Sequence, residues 1–378
     1  MKKVLLLGAS GSIGTQSLDV IKNNKEEFML TAFSVGRRSE FVEEVLKDNK
    51  SVKHIYVIDP KAAKEISKKH KDIKVYSGKS GLAKLTKVAD YDLCVDALVG
   101  FAGLEPAVIA LKRNKILCLA NKEALVAGGT LLSRYLVTGH GRLYPIDSEH
   151  VALAKCLSKV NKEDVKKLII TASGGALRNV PIEDLPKMTK DDALKHPTWK
   201  MGNKITIDCA TMMNKGFEII EAWYLYNYPL DQIEVKMHDE SLVHSAVELK
   251  DGTLIVDYGK PDMHTPIEWA MKEGKVKYDV LTIKSFDELK DCHFHTYDPK
   301  RYPCTELAKK CMISGASKMI ALNAANEVAV NRFLNDEIKF TDIAKIVEKV
   351  VNDTPIIYKP SLAKIKKLDK KARKAASL

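Results

Sequence analysis

The order of apolar runs in the first 146 residues constrains the fold more than any other feature of the sequence. Short apolar runs alternate there with longer segments of helical periodicity, such as 13–23, 40–48 and 60–71. Strands separated by helices are typical of a parallel sheet with helices on its faces. We therefore predict an α/β chain with a Rossmann-type N-terminal domain over residues 1–146. The predicted strands are 3–7, 29–35, 54–57, 74–76, 93–96, 116–119 and 141–145.

The pattern changes after residue 146. Segments 233–238, 243–250 and 253–257 are predicted to be antiparallel strands, and Asp251-Gly252 between the last two is a strong hairpin signal. We predict an α+β domain over 147–263, a linker over 264–303 that contains several prolines and few periodic segments, and a helical bundle over 304–378. Thr341 and Ser361 are the predicted N-caps of the last two helices.

The charge of the chain is concentrated at its end. The formal net charge is +12, from 61 Lys+Arg and 49 Asp+Glu, and residues 359–378 hold eight Lys/Arg and one acid, which is +7. A basic balance can indicate nucleic acid, an acidic membrane surface or anionic small molecules. Because the tail has no aromatic residues between its lysines, we expect a solvated helix face, no nucleic-acid partner and no membrane partner.

The cysteines and the N-terminus predict a cytoplasmic protein. The seven cysteines are an odd number without a C-x-x-C pair, which is typical of a reducing compartment. The apolar run 4–7 is too short for a signal peptide, whose apolar region has roughly 7–15 residues. No run approaches the ~20 apolar residues of a membrane-spanning helix.

A glycine loop follows the first predicted strand and opens a helix. Gly8, Gly11 and Gly14 have the spacing G-x-x-G-x-x-G, which lets the backbone approach a pyrophosphate at a helix N-terminus. The second strand ends in Gly36-Arg37-Arg38, without the acid that an NAD site places near this point. Two guanidinium groups suit a 2′-phosphate, so NADP(H) is predicted. The alternatives are a glycine turn without a ligand and two solvated arginines.

Carboxylates at two places predict a metal site. Asp147 and Glu149 end a strand at i and i+2, so in an extended chain they share a face. Asn214 and Glu218 are i, i+4 neighbours on a predicted helix. Oxygen ligands favour Mg²⁺ or Mn²⁺ over zinc. The alternative reading of the D-x-E pair is a solvated loop end.

Three further segments are candidates for binding a ligand. Residues 121–123 follow an apolar strand, where ligands bind in open α/β sheets. Residues 171–175 and Lys215 offer hydroxyl, backbone and cationic groups for a phosphate. Residues 196–202, within a predicted flap over 190–202, are typical of a lid that excludes water.

With these motifs in order, the chain resembles the 1-deoxy-D-xylulose 5-phosphate reductoisomerase family along nearly its whole length. The segments that carry the resemblance are 8–14, 120–123, 147–150, 173–175, 196–202, 208–216, 261–266 and 322–327. The resemblance implies a homodimer of three-domain, V-shaped subunits, whose second domain carries catalysis and dimerisation. It also implies an NADPH- and divalent-metal-dependent rearrangement and reduction of 1-deoxy-D-xylulose 5-phosphate to 2-C-methyl-D-erythritol 4-phosphate, a committed step of non-mevalonate isoprenoid precursor synthesis.

The resemblance also implies roles for individual residues. The catalytic residues would be Lys122, Glu149 and His196, and the metal ligands Asp147, Glu149 and Glu218. The substrate would contact Ser148, Glu149, Ser173, His196, Trp199, Cys209, Asn214, Lys215, Glu218 and Met263. NADPH would contact Gly8, Ser10, Gly11, Ser12, Ile13, Gly36, Arg37, Arg38, Asn121, Glu123 and Gly202.

One departure from the family pattern falls inside the predicted site. Cys209 stands where the family usually has a serine whose hydroxyl bonds the substrate phosphate, and a thiol is a weaker donor. Two other classes of function stay open at this stage. A different NADP-dependent dehydrogenase would share the first domain without needing the metal or the lid, and a nucleic-acid-binding protein would use the basic tail.

Overall fold

The computed structural model describes residues 1–199, 201–276 and 292–378 and divides the chain into two compact units. The first unit comprises 1–124, 131–147 and 262–276, and the second comprises 125–130, 148–261 and the part of 277–378 that is described. No helix in the described ranges is both long enough and apolar enough to cross a membrane.

A seven-stranded sheet forms the centre of the first unit. Its order is β4-β3-β2-β1-β5-β6-β7 and every neighbouring pair is parallel, as the alternating pattern predicts. Strands β2 to β4 lie on one side of β1, and β5 to β7 lie on the other. A crevice for a ligand is therefore expected between β1 and β5, at their carboxyl ends. The strands are β1 Lys2–Leu7, β2 Phe28–Val35, β3 His54–Val57, β4 Lys74–Tyr76, β5 Leu93–Asp96, β6 Ile116–Leu119 and β7 Arg142–Pro145.

Helices cover the sheet of the first unit and bury its apolar strands. Val4 to Leu7 of β1 are fully buried, as expected for a strand with helices on both faces. Asp59 caps α3 by accepting a hydrogen bond from the Lys61 amide, with Pro60 as the first helical residue. The helices are α1 Ser12–Asn23, α2 Phe41–Asp48, α3 Pro60–Lys69, α4 Gly81–Val88, α5 Leu104–Lys112, α6 Lys122–Val137 and α11 His264–Met271.

The segment predicted as a linker over 264–303 contains α11 of the first unit. This helix packs against α1, β6 and β7, and Ile267, Ala270 and Met271 are buried in the same core as the sheet. The prolines and the short length of the helix conceal its apolar face in the sequence. Residues 277–291 of the predicted linker lie outside the described residues.

A five-stranded sheet in the second unit has the order β11-β10-β8-β9-β12. The predicted hairpin is confirmed, because β10 and β11 are antiparallel neighbours joined at 251–252. The direction predicted for β9 is confirmed, because β9 runs parallel to β8 and β8 runs antiparallel to β10. β9 is not a neighbour of β10, however: it lies between β8 and β12. Because three helices, α8 Lys190–Ala193, α9 Asn203–Ala210 and α10 Met213–Tyr226, connect β8 to β9, the chain can cross over and return in the same direction. The strands are β8 Val165–Ala172, β9 Ile233–Met237, β10 Val243–Leu249, β11 Leu254–Tyr258 and β12 His295–Thr296.

The helices of the second unit share one hydrophobic core with its sheet. That core runs from Leu168 and Val235 in the sheet through Phe217 to Ala325 and Val347, so the segments predicted as separate domains, 147–263 and 304–378, are packed together. The helices are α7 Ser148–Leu157, α8 Lys190–Ala193, α9 Asn203–Ala210, α10 Met213–Tyr226, α12 Pro303–Ser314, α13 Ala316–Leu334, α14 Asp342–Asn352 and α15 Leu362–Ala376.

The basic C-terminal helix α15 buries one side and exposes its lysines. Ile365 and Leu368 are buried against α13 and α14, and Ser361 caps the helix by accepting from the Lys364 amide, as predicted. Thr341 is at the N-cap position of α14 but makes no side-chain capping bond, because its backbone is already helical.

Candidate active site

Two of the three loop glycines in the first unit are required by packing. Gly8 has φ +86°, and a Cβ there would lie 2.5 Å from the Ala97 carbonyl oxygen. A Cβ on Gly14 would lie 2.1 Å from the Gly8 carbonyl oxygen, so the helix can start this close to the turn only with glycine. These two positions explain the turn without any ligand.

Gly11 differs from both of its neighbours. It is exposed, its φ of −84° suits any residue, and a Cβ there would meet only the Gly8 carbonyl oxygen at 3.4 Å. It sits at the N-cap of α1, where the first amide groups of the helix point out of the fold. An open glycine at a helix N-terminus fits the close approach of a pyrophosphate.

The end of β2 lies against this loop, as the sequence predicts. The Gly8 amide donates to the Ser34 Oγ at 2.9 Å, and Arg38 Nη1 donates to the Ser10 carbonyl oxygen at 3.2 Å. Gly36, Arg37 and Arg38 are exposed. The Arg38 guanidinium therefore stands beside the loop, where a 2′-phosphate would need a cation.

The side chain of Asn121, a residue predicted to contact NADPH, makes hydrogen bonds within the protein. Its side-chain oxygen accepts from the Ala124 amide and caps α6, while its NH₂ group donates to the carbonyl oxygens of Leu98 and Gly100 at 2.7 and 2.8 Å. The buried amide is thus occupied in shaping the loop after β5. Glu123, in the first turn of α6, is also buried.

Asp96 at the carboxyl end of β5 is a buried acid that the sequence reasoning missed. The Leu98 amide donates to its Oδ1 at 3.2 Å, and its Oδ2 has no hydrogen-bond partner among the described residues. Burial is the main cause that raises the pKa of Asp96 to about 8, and the charge of Glu123 adds to the rise. The available signal was an acid within an apolar run at the end of a central strand.

The predicted metal ligands lie together. One carboxylate oxygen from each of Asp147, Glu149 and Glu218 lies within 4.8 Å of the others. The extended conformation predicted for Asp147 to Glu149 is wrong, however. α7 begins at Ser148, and Glu149 is in its first turn. The carboxylates of Asp147 and Glu149 therefore come together at the start of a helix, not on one face of a strand.

Helix α10 supplies the third carboxylate and a cation beside it. Met212, with φ +57°, turns the chain sharply into the helix. Asn214 Nδ2 donates to Glu218 Oε1 at 2.5 Å, which confirms the predicted i, i+4 contact. Lys215 Nζ lies 2.6 Å from Glu218 Oε2 and also donates to Glu149. The side chains of Lys215 and Glu218 are almost fully buried.

This donor set fits a hard divalent cation. All the acidic donors are oxygens, and the Lys215 ammonium already lies between two of the carboxylates as a stand-in cation. A second lysine, Lys122, pairs with Asp147 Oδ2 at 2.6 Å, and both side chains are largely buried. Paired and hydrogen-bonded in this way, the buried charges can persist in a metal-free protein.

The loop after β8 and the predicted flap also meet. Ser173 Oγ lies 3.1 Å from His196 Nε2, and a Cβ on Gly175 would lie 2.6 Å from Ala210, so the loop sits against the end of α9 beside Cys209. Cys209 is partly exposed. The flap predicted over 190–202 contains α8 and the turn to Trp199, and Lys200 lies outside the described residues.

Other predicted residues occupy places that the sequence did not indicate. Ser148 Oγ donates to Glu149 Oε2 at 2.5 Å. Met263 is at the N-cap of α11 and packs on the core of the first unit. Gly202 is the N-cap of α9 in the second unit. Arg178 was missed, since a single arginine in a polar loop gives no signal, yet its Nη1 donates to the Ser173 carbonyl oxygen at 3.1 Å.

Three family models match the chain in succession. They are described as 1-deoxy-D-xylulose 5-phosphate reductoisomerase, over residues 4–129, its C-terminal domain, over 143–226, and the DXP reductoisomerase C-terminal domain, over 258–375.

Curated relatives are similar over nearly their full length. The 1-deoxy-D-xylulose 5-phosphate reductoisomerase of Geobacillus sp. (strain WCH70) is 38% identical over 377 residues, which is 99% of this chain and 98% of the relative. The enzyme of the same name from Thermodesulfovibrio yellowstonii is 37% identical over 376 residues, with 100% and 98% covered.

Solved structures agree with the sequence matches. A crystal structure of DOX-P reductoisomerase in complex with NADPH, fosmidomycin and magnesium has a TM-score of 0.92 at 33% identity, with 100% of this chain and 98% of the other covered. The Zymomonas mobilis 1-deoxy-D-xylulose 5-phosphate reductoisomerase in complex with NADPH has a TM-score of 0.89 at 34% identity, with the same coverage. Sequence, fold and site together place this chain in the 1-deoxy-D-xylulose 5-phosphate reductoisomerase family.

Proposed function

We propose that this protein converts 1-deoxy-D-xylulose 5-phosphate to 2-C-methyl-D-erythritol 4-phosphate with NADPH and Mg²⁺ or Mn²⁺. The observation that carries the proposal is the convergence of the Asp147, Glu149 and Glu218 carboxylates, with Lys215 paired to the last two. A sugar-phosphate dehydrogenase without a metal step would have no use for three converging carboxylates. The membership of the family and the glycine loop beside Arg38 support the same reaction.

The roles of the residues follow from their chemistry. Asp147, Glu149 and Glu218 would hold the divalent cation, and Ser173, Asn214 and Lys215 would bind the substrate phosphate through charge-assisted hydrogen bonds. When bound, the cation supplies Lewis-acid polarisation of the ketone and a neighbouring hydroxyl, and NADPH supplies the hydride. Binding of the phosphate, remote from the reacting carbons, would fix the reacting end of the substrate.

Two lysines can move protons or charge in this arrangement. Lys122 lies against Asp147 and would stand near the polarised oxygens, where its ammonium can donate a proton. Lys215 is shared between Glu149 and Glu218 in the structure described here. With those carboxylates holding a divalent cation, the Lys215 ammonium would turn to the substrate phosphate. Trp199 of the flap would cover the substrate and exclude water.

Glycine and arginine residues of the first unit would hold the coenzyme. Gly8, Gly11 and the start of α1 would bind the pyrophosphate, and Arg37 and Arg38 the 2′-phosphate. Gly202 is included through the family resemblance alone. A homodimer and a cytoplasmic location belong to this proposal on the same ground, and light scattering of the purified protein should give twice the chain mass of 42.1 kDa.

The deciding assay is NADPH oxidation with the purified chain. Oxidation should require both 1-deoxy-D-xylulose 5-phosphate and Mg²⁺ or Mn²⁺. Loss of an outer-shell partner of a metal weakens metal binding or activity by about 10- to 100-fold. The Glu218→Gln variant alters a predicted direct ligand, so activation by the metal should weaken by more than that. Glu163→Gln, which makes the same charge change at an exposed position, is the matched control. A folded wild-type protein that is inactive at saturating metal would overturn the proposal.

A further inference from the structure

The hydrogen bonds of His196 define its tautomer. Its Nδ1 accepts from the backbone amides of Thr198 at 3.2 Å and Trp199 at 3.0 Å, both in the flap. A ring nitrogen that accepts carries no hydrogen, so the single hydrogen of the neutral imidazole is on Nε2. The backbone of the flap thereby selects the tautomer.

This tautomer decides which way the Ser173 hydroxyl points. Nε2–H of His196 donates to Ser173 Oγ at 3.1 Å, and the Gly175 amide donates to the same oxygen at 3.4 Å. A hydroxyl has two lone pairs and one hydrogen. Since both lone pairs accept within the protein, the hydroxyl hydrogen is left to donate to a ligand, and a phosphate oxygen is a suitable acceptor.

The Ser173 loop is held firmly enough to keep this orientation. Gly174 and Gly175 have φ of +76° and +72°, and the loop lies tightly against Ala210. Arg178 fastens the loop at its start, because Nη1 donates to the Ser173 carbonyl oxygen while Nε lies 3.5 Å from Asp239 Oδ2. The arginine is itself mostly buried.

Burial, together with the cations that face His196, favours the neutral ring. Burial is the main cause that lowers the pKa of His196, and the cations Arg178 and Lys215 lower it further. A proton added to Nδ1 would point at two amide N–H donors and would break both contacts with the flap. The link between the flap and Ser173 therefore exists only in the neutral form.

We propose that His196 joins the flap to the phosphate-binding loop and that Arg178 is the positioning residue of this joint. Formation of the flap turn sets the His196 tautomer, and the tautomer turns the Ser173 hydroxyl hydrogen towards the substrate phosphate. The identity of that ligand rests on the proposed function. The joint itself rests only on the hydrogen bonds of His196, Ser173 and Arg178.

The first test is histidine-selective ¹⁵N NMR of the full chain, with inorganic phosphate as the probe. The chain has ten histidines, and His196 is assigned from the signal that His196→Asn removes. We expect a protonated Nε2 and an unprotonated Nδ1 at neutral pH, with a midpoint of titration below 6.5. Arg178→Gln should move that midpoint up towards 6.5, while the exposed control Arg134→Gln should not. A protonated Nδ1 in the neutral ring, or an unmoved midpoint in Arg178→Gln, would overturn the joint.

The second test is kinetic and uses a double-mutant cycle. His196→Gln retains a donor near the Nε2 position but has no acceptor at the position of Nδ1, which the flap amides contact, and Ser173→Ala removes the hydroxyl. Each should raise the KM for 1-deoxy-D-xylulose 5-phosphate by about 10-fold or more, as for loss of a hydrogen bond to a charged group. If His196 acts through Ser173, the double variant has the KM of the worse single variant; a KM that multiplies the two effects contradicts the proposal.

The two tests separate this inference from the proposed function. An inactive enzyme with the expected tautomer and the expected Arg178→Gln shift would leave the joint standing and reject the reaction. An active enzyme with a protonated Nδ1 would reject the joint alone. His140→Asn, at an exposed position, controls for general effects of replacing a histidine.

Discussion

Replacing Asp96 by asparagine should change how the stability of the first unit depends on pH. Asp96 is the last residue of β5, opposite Leu7 of β1, and it is fully buried. Its pKa is raised to about 8, chiefly by burial, whereas an unfolded aspartate titrates near ~3.9. Between these values the folded state holds a proton that the unfolded state has released.

The sign and size of the effect follow from this difference. Because the folded state binds the extra proton, the free energy of unfolding falls as pH rises from about 4 to about 8, by ~1.4 kcal/mol per pH unit. From pH 5 to pH 7 the wild-type protein should lose ~2.7 kcal/mol through this one group. Asparagine keeps the size of the side chain and does not titrate. The stability of Asp96→Asn relative to the wild type should therefore rise by the same amount over that interval.

Urea unfolding at pH 5, 6 and 7 measures this difference. Trp269 lies in α11 of the first unit, so its fluorescence in a Trp199→Phe, Trp223→Phe background reports the unfolding of that unit. Asp72→Asn, which changes an acid that is mostly exposed, is the control and should leave the pH dependence as it is. A constant difference between Asp96→Asn and the wild type across these pH values would refute the raised pKa and the reasoning from burial.

Three further predictions concern the coenzyme, the substrate and the C-terminal helix. Arg37→Ala combined with Arg38→Ala should raise the Kd of NADPH by about 10- to 100-fold, through loss of charged hydrogen bonds, and should change the Kd of NADH far less; equal losses in titrations with both coenzymes would contradict a 2′-phosphate site. Cys209→Ser should lower the KM of the sugar phosphate by roughly fivefold, because a hydroxyl donates better than a thiol and one neutral hydrogen bond contributes about 1 kcal/mol; an unchanged KM would show that this side chain does not reach the phosphate. Leu368→Ala should lower the free energy of unfolding of the second unit by about 2–4 kcal/mol in urea, because the leucine is buried, whereas Lys367→Ala on the exposed side should have almost no effect.

The pairing of β9 shows where sequence patterns stop being informative. Alternation of apolar and polar residues identifies the strand, since every second residue of Ile233–Met237 is buried. Which strand lies beside β9 depends on how three helices return the chain across the sheet, and no local pattern encodes that path. The hairpin of β10 and β11 was predictable because its turn is local.

At the carboxylate site the predicted grouping of residues is correct, but the predicted local backbone conformation is not. The spacing of Asp147 and Glu149 predicts that both lie on one face of a strand, but α7 begins at Ser148. Both conformations can bring these two carboxylates close together, so the local chemistry of a D-x-E pair does not distinguish them. The contact of Glu149 with Lys215, 66 positions away along the chain, is a product of tertiary packing.

Local patterns in the sequence were enough to predict the parallel sheet of the first unit, the glycine loop, the arginines at the end of β2 and the residue types of the metal site. These features depend on periodicity, backbone freedom and ligand chemistry, which are local. The tertiary structure decided that Gly11 alone among the three loop glycines is open, that Asn121 is committed to a cap, and that Asp96 and Arg178 matter. Burial and long-range hydrogen bonding set the behaviour of those residues, and both exist only once distant segments are packed together.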